Sequence, residues 1–89
     1  MPVSPLTSAQ IRAARALIRW SAEDLANASS VGATTIRRAE LTTKETSMTV
    51  ANDLAIRRTL EAAGVEFIDE NGGGPGVRLR QRVQKKKEN

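Results

Sequence analysis

The 89-residue chain has no cysteine, no histidine and no tyrosine, and its aromatic side chains are one tryptophan and one phenylalanine. Each absence closes off a chemistry. Without cysteine there are no disulfides and no thiolate metal sites. Without histidine as well, nucleophile–base dyads and common transition-metal sites lose their usual ligands. The acidic residues are scattered along amphipathic segments and are expected to be solvated. Trp20 and Phe67 are too few for a base-stacking platform, which needs several rings interleaved along a basic strand. They are expected in core or interface packing. No apolar run is long enough to span a membrane, and the first residues lack the basic-then-apolar order of a secretory signal. The chain is therefore expected to be cytosolic and not an enzyme, with no cofactor, no metal and no evident small-molecule ligand. This length supports one modest core, hence one small domain.

Net charge is +4, but it is unevenly placed. Arg78, Arg80, Arg82, Lys85, Lys86 and Lys87 crowd the last twelve positions, where Glu88 is the one acid. Residues 1–77 hold eight basic and nine acidic residues, a net charge of −1. Bulk basicity is thus no argument that the body of the protein binds nucleic acid. A motif has to carry that case.

Along the chain, residues 1–6 include Pro2 and Pro5 and read as a short extended arm. Thr7 with Gln10 forms a capping box that opens a first helix. Ile11, Ala14, Leu17 and Ile18 form its inward stripe, and Arg12, Arg15 and Arg19 share another face. Arg12 and Arg19 are expected to be solvated. Ser21 with Asp24 is a second capping box, opening a helix whose apolar edge is Leu25 and Ala28. Ser29–Gly32 interrupts it, with Val31 as an apolar plug and Gly32 as a tolerable cap for the next helix. From Ala33 to Glu40 a third helix places Ile36 and Ala39 inward and Thr34, Arg37 and Arg38 outward. Two short helices joined by a tight turn are the signature of a helix-turn-helix, and exposed Thr and Arg suit base edges and phosphates.

Residues 41–47 read as a loop. A further helix is capped near Ser47 or Thr49 and runs to Ala63, with Val50, Leu54, Ile56 and Leu60 as its apolar surface. Gly64 stands where a left-handed cap is expected. Arg57 and Arg58 are expected to be solvated, with Glu61 one turn after Arg57 for weak pairing. Then the period changes from helical to alternating. Val65–Ile68 and Val77–Arg80 look like two strands, joined by a flexible loop holding four glycines and Pro75. This loop is not a phosphate cradle, because the Lys-Ser/Thr pair and following helix of a P-loop are missing. The tail from Gln81 carries a lysine run and is expected to be disordered, with weak attraction to phosphates.

Between Leu6 and Gly64 the chain resembles the Cro/repressor-like (Xre) family of bacterial and phage DNA-binding proteins. The matching parts are Trp20-Ser21, the Glu-Asp-Leu-Ala of the second helix, and Thr35-Ile36-Arg37-Arg38-Ala39-Glu40. The sequence departs from the family at Ser30, where the turn commonly has Gly, and at Gly32, where the cap is commonly Ser or Thr. The resemblance implies a mainly α, four- to five-helix Cro/repressor-like helix-turn-helix domain over 1–64. A C-terminal β-hairpin over 65–80 and a basic tail over 81–89 complete the chain. It implies a sequence-specific transcriptional regulator, cytoplasmic and nucleoid-associated, acting as a homodimer on a palindromic double-stranded operator.

Carried over from the family, DNA contacts fall to Ala33, Thr34, Thr35, Arg37 and Arg38. Ala33 offers only a methyl, which suits thymine, and Arg38 is expected to read guanine while Arg37 meets phosphates. Ala22 stands at a position that often binds phosphate, and only its backbone N–H can do so. A family arginine matching Arg15 pairs with the glutamate that closes the recognition helix, here Glu40. The hairpin is expected to dimerise, because its apolar face of Val65, Phe67, Val77 and Leu79 needs a helix or a second copy to cover it. Folding back on its own chain is the other arrangement. The competing function is a protein-interaction adaptor, antiactivator or antitoxin-like module, consistent with the near-neutral domain.

Overall fold

Three of the four described helices begin at a residue whose side chain satisfies an amide group left open by the first turn. The computed structural model describes residues 4–43 and 45–80. Helix α1 (Ser8–Ile18) starts with Thr7 and Gln10 bonded reciprocally. Gln10 N donates to Thr7 Oγ1 at 3.1 Å, and Thr7 N donates to Gln10 Oε1 at 2.9 Å. Helix α2 (Ala22–Ser29) repeats the device with Ser21 and Asp24, at 3.0 and 2.9 Å. Helix α3 (Ala33–Glu40) follows a short turn. Helix α4 (Val50–Ala62) is capped by Thr49, which accepts from Asn52 N, and so the cap falls on Thr49 rather than Ser47. Beyond α4, Gly64 adopts φ 107°, which a side chain would oppose. Its carbonyl accepts from Arg80 N, closing the base of a hairpin.

That hairpin consists of β1 (Val65–Ile68) and β2 (Gly76–Leu79), antiparallel, with Val65 opposite Leu79 and Phe67 opposite Val77. The second strand thus runs one residue earlier than its alternation suggested. Among the described residues the protein is mainly helical, with four helices and this two-stranded hairpin. The segment between α3 and α4 stays irregular and is tied to the start of α1 by an isolated bridge between Thr7 and Glu45. No described helix is long and apolar enough to cross a membrane. Residues 1–3 of the expected arm and the basic tail from residue 81 lie outside the described residues.

One core serves helices and hairpin together. Ile11, Leu25, Ile36, Ile56, Leu60 and Val65 are completely buried in it. Phe67 and Val77 pack against the same cluster from the hairpin. The apolar face expected to await a second copy is therefore covered in part within its own chain, by α1 and α4, with Val65 buried and Phe67, Val77 and Leu79 half-buried. Gln10 locks it there. Its Nε2 donates to the carbonyls of Ile68 (3.3 Å) and Gly76 (3.1 Å), one on each strand. The hairpin over 65–80 is part of the domain rather than an appendage to it.

Several side chains depart from their expected setting, among them Ala28, which is exposed on α2 although expected on its apolar edge. Leu17 is 40% exposed, because it lies about 60° around the helix from Ala14, off the Ile11–Ala14–Ile18 stripe. Val50 is 76% exposed, since it sits in the first turn of α4, before the stretch that the N-terminal segment covers. Arg57, expected in solvent, is buried. Its Nη2 donates to Ser4 O at 2.7 Å, and its guanidinium lies 5.2 Å from the Phe67 ring centroid. The cation stacks on the aromatic face while its stem fills core space. Glu61 stands 3.9 Å from Arg57, one turn along α4.

Across the outer side of the hairpin, Arg78 grips Glu66 with two hydrogen bonds of 3.2 Å. These bonds hold the Glu66 carboxyl below its ordinary pKa. A carboxyl lowered on folding stabilises the fold above its unfolded pKa, and the stabilisation is lost as pH falls through the folded value. In an NMR titration, Glu66 is expected to protonate below the usual glutamate range, and Arg78→Gln to return it there. An ordinary midpoint in the parent protein would count against the pair.

Candidate nucleic-acid interface

The turn between α2 and α3 is tight because Ser30 adopts φ 64°, in the left-handed region. A residue with a Cβ is strained there by roughly 1–2 kcal/mol, which a Gly would escape. Local bonds hold it. Ser30 N donates to Ala26 O at 2.9 Å, and Val31 N donates to Ser29 Oγ at 3.2 Å. Val31 then plugs into the core with 5% exposure, anchoring the start of α3. Gly32 caps α3 without a side-chain hydrogen bond, a loss of only a few tenths of a kcal/mol.

Helix α3 has two distinct sides. Ile36 and Ala39 are buried, whereas Thr34, Arg37 and Arg38 are exposed, and Leu41 follows them at 83% exposure. Positions 34, 37, 38 and 41 lie on one helical face. Ala33 and Thr35 are half-buried at its margins. Thr35 and Arg38 border a surface depression shared with Thr42, Met48 and Asn52.

The inner side of α3 is fixed by an ion pair. Arg15 Nε donates to Glu40 Oε2 and Arg15 Nη2 to Glu40 Oε1, both at 2.7 Å. Arg15 Nη1 also donates to Trp20 O at 2.9 Å, so one guanidinium joins α1, the entry to α2 and the end of α3. The Glu40 hydrogen bonds raise the Arg15 pKa, against an opposing effect of burial. Arg12, expected to be solvated, donates through Nη1 to the Glu40 carbonyl. Two cations thus meet the carboxyl end of α3, where the helix dipole favours positive charge.

The two outer arginines differ. Arg37 is ion-paired to Glu23 of α2, while Arg38 makes no ion pair among the described residues. Glu23 was not singled out from the sequence, because no local spacing rule joins residues fourteen apart across a turn. Arg57 and the double role of Gln10 escaped for the same reason. The proposed dimerisation residues Val65, Phe67, Val77 and Leu79 are all in the hairpin, grouped apart from α3. Among the described residues, no three His, Cys, Asp or Glu side chains gather as a metal site. No protein-family model matches the chain, and no curated protein matches it.

Proposed function

We propose that the protein is a sequence-specific DNA-binding regulator whose α2 and α3 form a Cro/repressor-like (Xre) helix-turn-helix, with α3 as the reading element. The observation that carries this is the contrast between the faces of α3. Its inner side is fastened by the two-pronged Arg15–Glu40 pair, while Thr34, Arg37 and Arg38 project unburied. A rigidly held short helix with polar, cationic side chains on its free face fits a major groove. Arg38, without a carboxylate partner among the described residues, is the guanine reader, Thr34 and Thr35 meet base or phosphate, and Ala33 contacts a thymine methyl. No step of this role is catalytic.

Acting as a homodimer, two copies would present α3 to successive major grooves ~34 Å apart on a palindromic site. The hairpin can join such a pair through its strand edges and through the half-buried Phe67, Val77 and Leu79, because α1 and α4 cover its apolar face only in part.

One observation favours the adaptor reading. Glu23 neutralises Arg37, in a body whose residues 1–77 carry a net charge of −1. Selection of a binding site from randomised duplex DNA separates the two functions. The regulator yields an enriched sequence and the adaptor yields none. On the enriched site, Arg38→Ala is expected to lose ~1–3 kcal/mol of affinity and to relax one base position. Unchanged affinity would remove Arg38, and with it the assignment of α3, from the interface.

A further inference from the structure

We infer that Glu23 sets DNA specificity by competing with phosphates for Arg37, an assignment that rests on the DNA-binding function proposed above. Arg37 and Glu23 join across the α2–α3 turn and are about half exposed, at 52% and 59%. An exposed pair of this kind adds little to stability. Its consequence lies in what it withholds from a ligand. Glu23 occupies the first turn of α2, where backbone N–H groups and the helix dipole would otherwise favour a phosphate. The neighbouring Asp24 is spent on the cap, accepting from Ser21 N at 2.9 Å. Glu23 is thus the carboxylate that meets an approaching anion beside the free face of α3, and it already holds one of the two cations there.

Nonspecific binding is driven by phosphate neutralisation and counterion release. Random DNA can recruit Arg37 only by displacing Glu23, and it then leaves that carboxylate facing the backbone. The correct site is held by base-edge contacts from Arg38 and Thr34, which need neither Arg37 nor the displacement of Glu23, so it escapes most of this cost. Glu23 therefore lowers affinity for random sequence by a larger factor than affinity for the site, which widens the ratio that matters in a genome.

The test uses Glu23→Gln, which keeps shape and removes charge at an exposed position. Binding is measured over a series of KCl concentrations, to a random-sequence duplex and to a duplex enriched from a randomised pool. On random duplex, Glu23→Gln is expected to bind more tightly, with a salt slope steeper by about 0.9, equal to one added phosphate contact. Affinity for the enriched duplex rises by a smaller factor, so the ratio narrows. Adding Arg37→Ala to Glu23→Gln abolishes the gain. A gain that survives Arg37→Ala, or an unchanged slope, overturns the role of Glu23 and leaves the DNA-binding function standing. A parent protein with no salt-dependent duplex binding overturns both.

Discussion

Truncation after Gly64 is expected to leave a chain with no cooperative thermal transition. The hairpin supplies Val65, which is completely buried, and Phe67 and Val77, which pack on the same core. Its removal uncovers the sides of α1 and α4 on which the strands pack. It also strips Gln10 of both carbonyl partners and takes the ring from beneath Arg57, whose Nε already lacks a hydrogen-bond partner. Replacing a single buried Phe by Ala costs ~3–5 kcal/mol, and a domain of this size has roughly 5–10 kcal/mol in all. Losing the whole hairpin exceeds that margin. Had the hairpin been a detached dimerisation arm, truncation would instead give a folded monomer. Circular dichroism during heating decides between them, and a sharp melt of residues 1–64 would show that the helices form a self-sufficient core. Phe67→Ala provides a graded check, expected to lower the melting temperature without abolishing the transition.

Glu40→Ala is expected to destabilise the fold by about 3 kcal/mol, the low end for a broken buried pair because Arg15 is 21% exposed. In a domain of this size that corresponds to a fall of roughly 12–24 °C in melting temperature. The cost arises because Arg15 keeps its charge among α1, α3 and Trp20 after its two carboxylate bonds are gone. An exposed pair would lose under ~1 kcal/mol, so the magnitude separates a clamp from a surface contact. The double variant Arg15→Met/Glu40→Leu, with no charge left unpaired, should recover much of the loss. An unchanged melting temperature in Glu40→Ala would show that α3 is held by apolar packing alone.

Comparison of the variants also separates stability from recognition. Glu40 is buried beneath α3, so its removal acts on folding and on the placement of the helix. Arg38 and Glu23 are exposed, so their variants should melt near the parent and differ in DNA affinity.

Much of the local structure was legible from short-range rules. The capping pairs Thr7–Gln10 and Ser21–Asp24 are three residues apart, within reach of one turn of backbone. The outward placement of Thr34, Arg37 and Arg38 follows from helical period once Ile36 and Ala39 are assigned inward. The alternation after Gly64 marked both strands to within a residue. The Arg15–Glu40 pair was different in kind, since nothing local joins positions 25 apart and the family resemblance alone pointed to it.

What the sequence by itself determined is thus where helices start and stop, which face of each is apolar, and that the chain turns to strand after Gly64. Tertiary structure alone decided what covers those faces. Leu6 N reaches Asp53 across 47 residues, Arg57 reaches Ser4 across 53, and Gln10 reaches Gly76 across 66. It is these distant contacts that turn the hairpin inward and bury an arginine against Phe67. Caps and periodicity act over one helical turn, within which few conformations compete. Long-range pairs form only after the chain has closed large loops, and the choice among apolar partners is then made by the packing of the whole core.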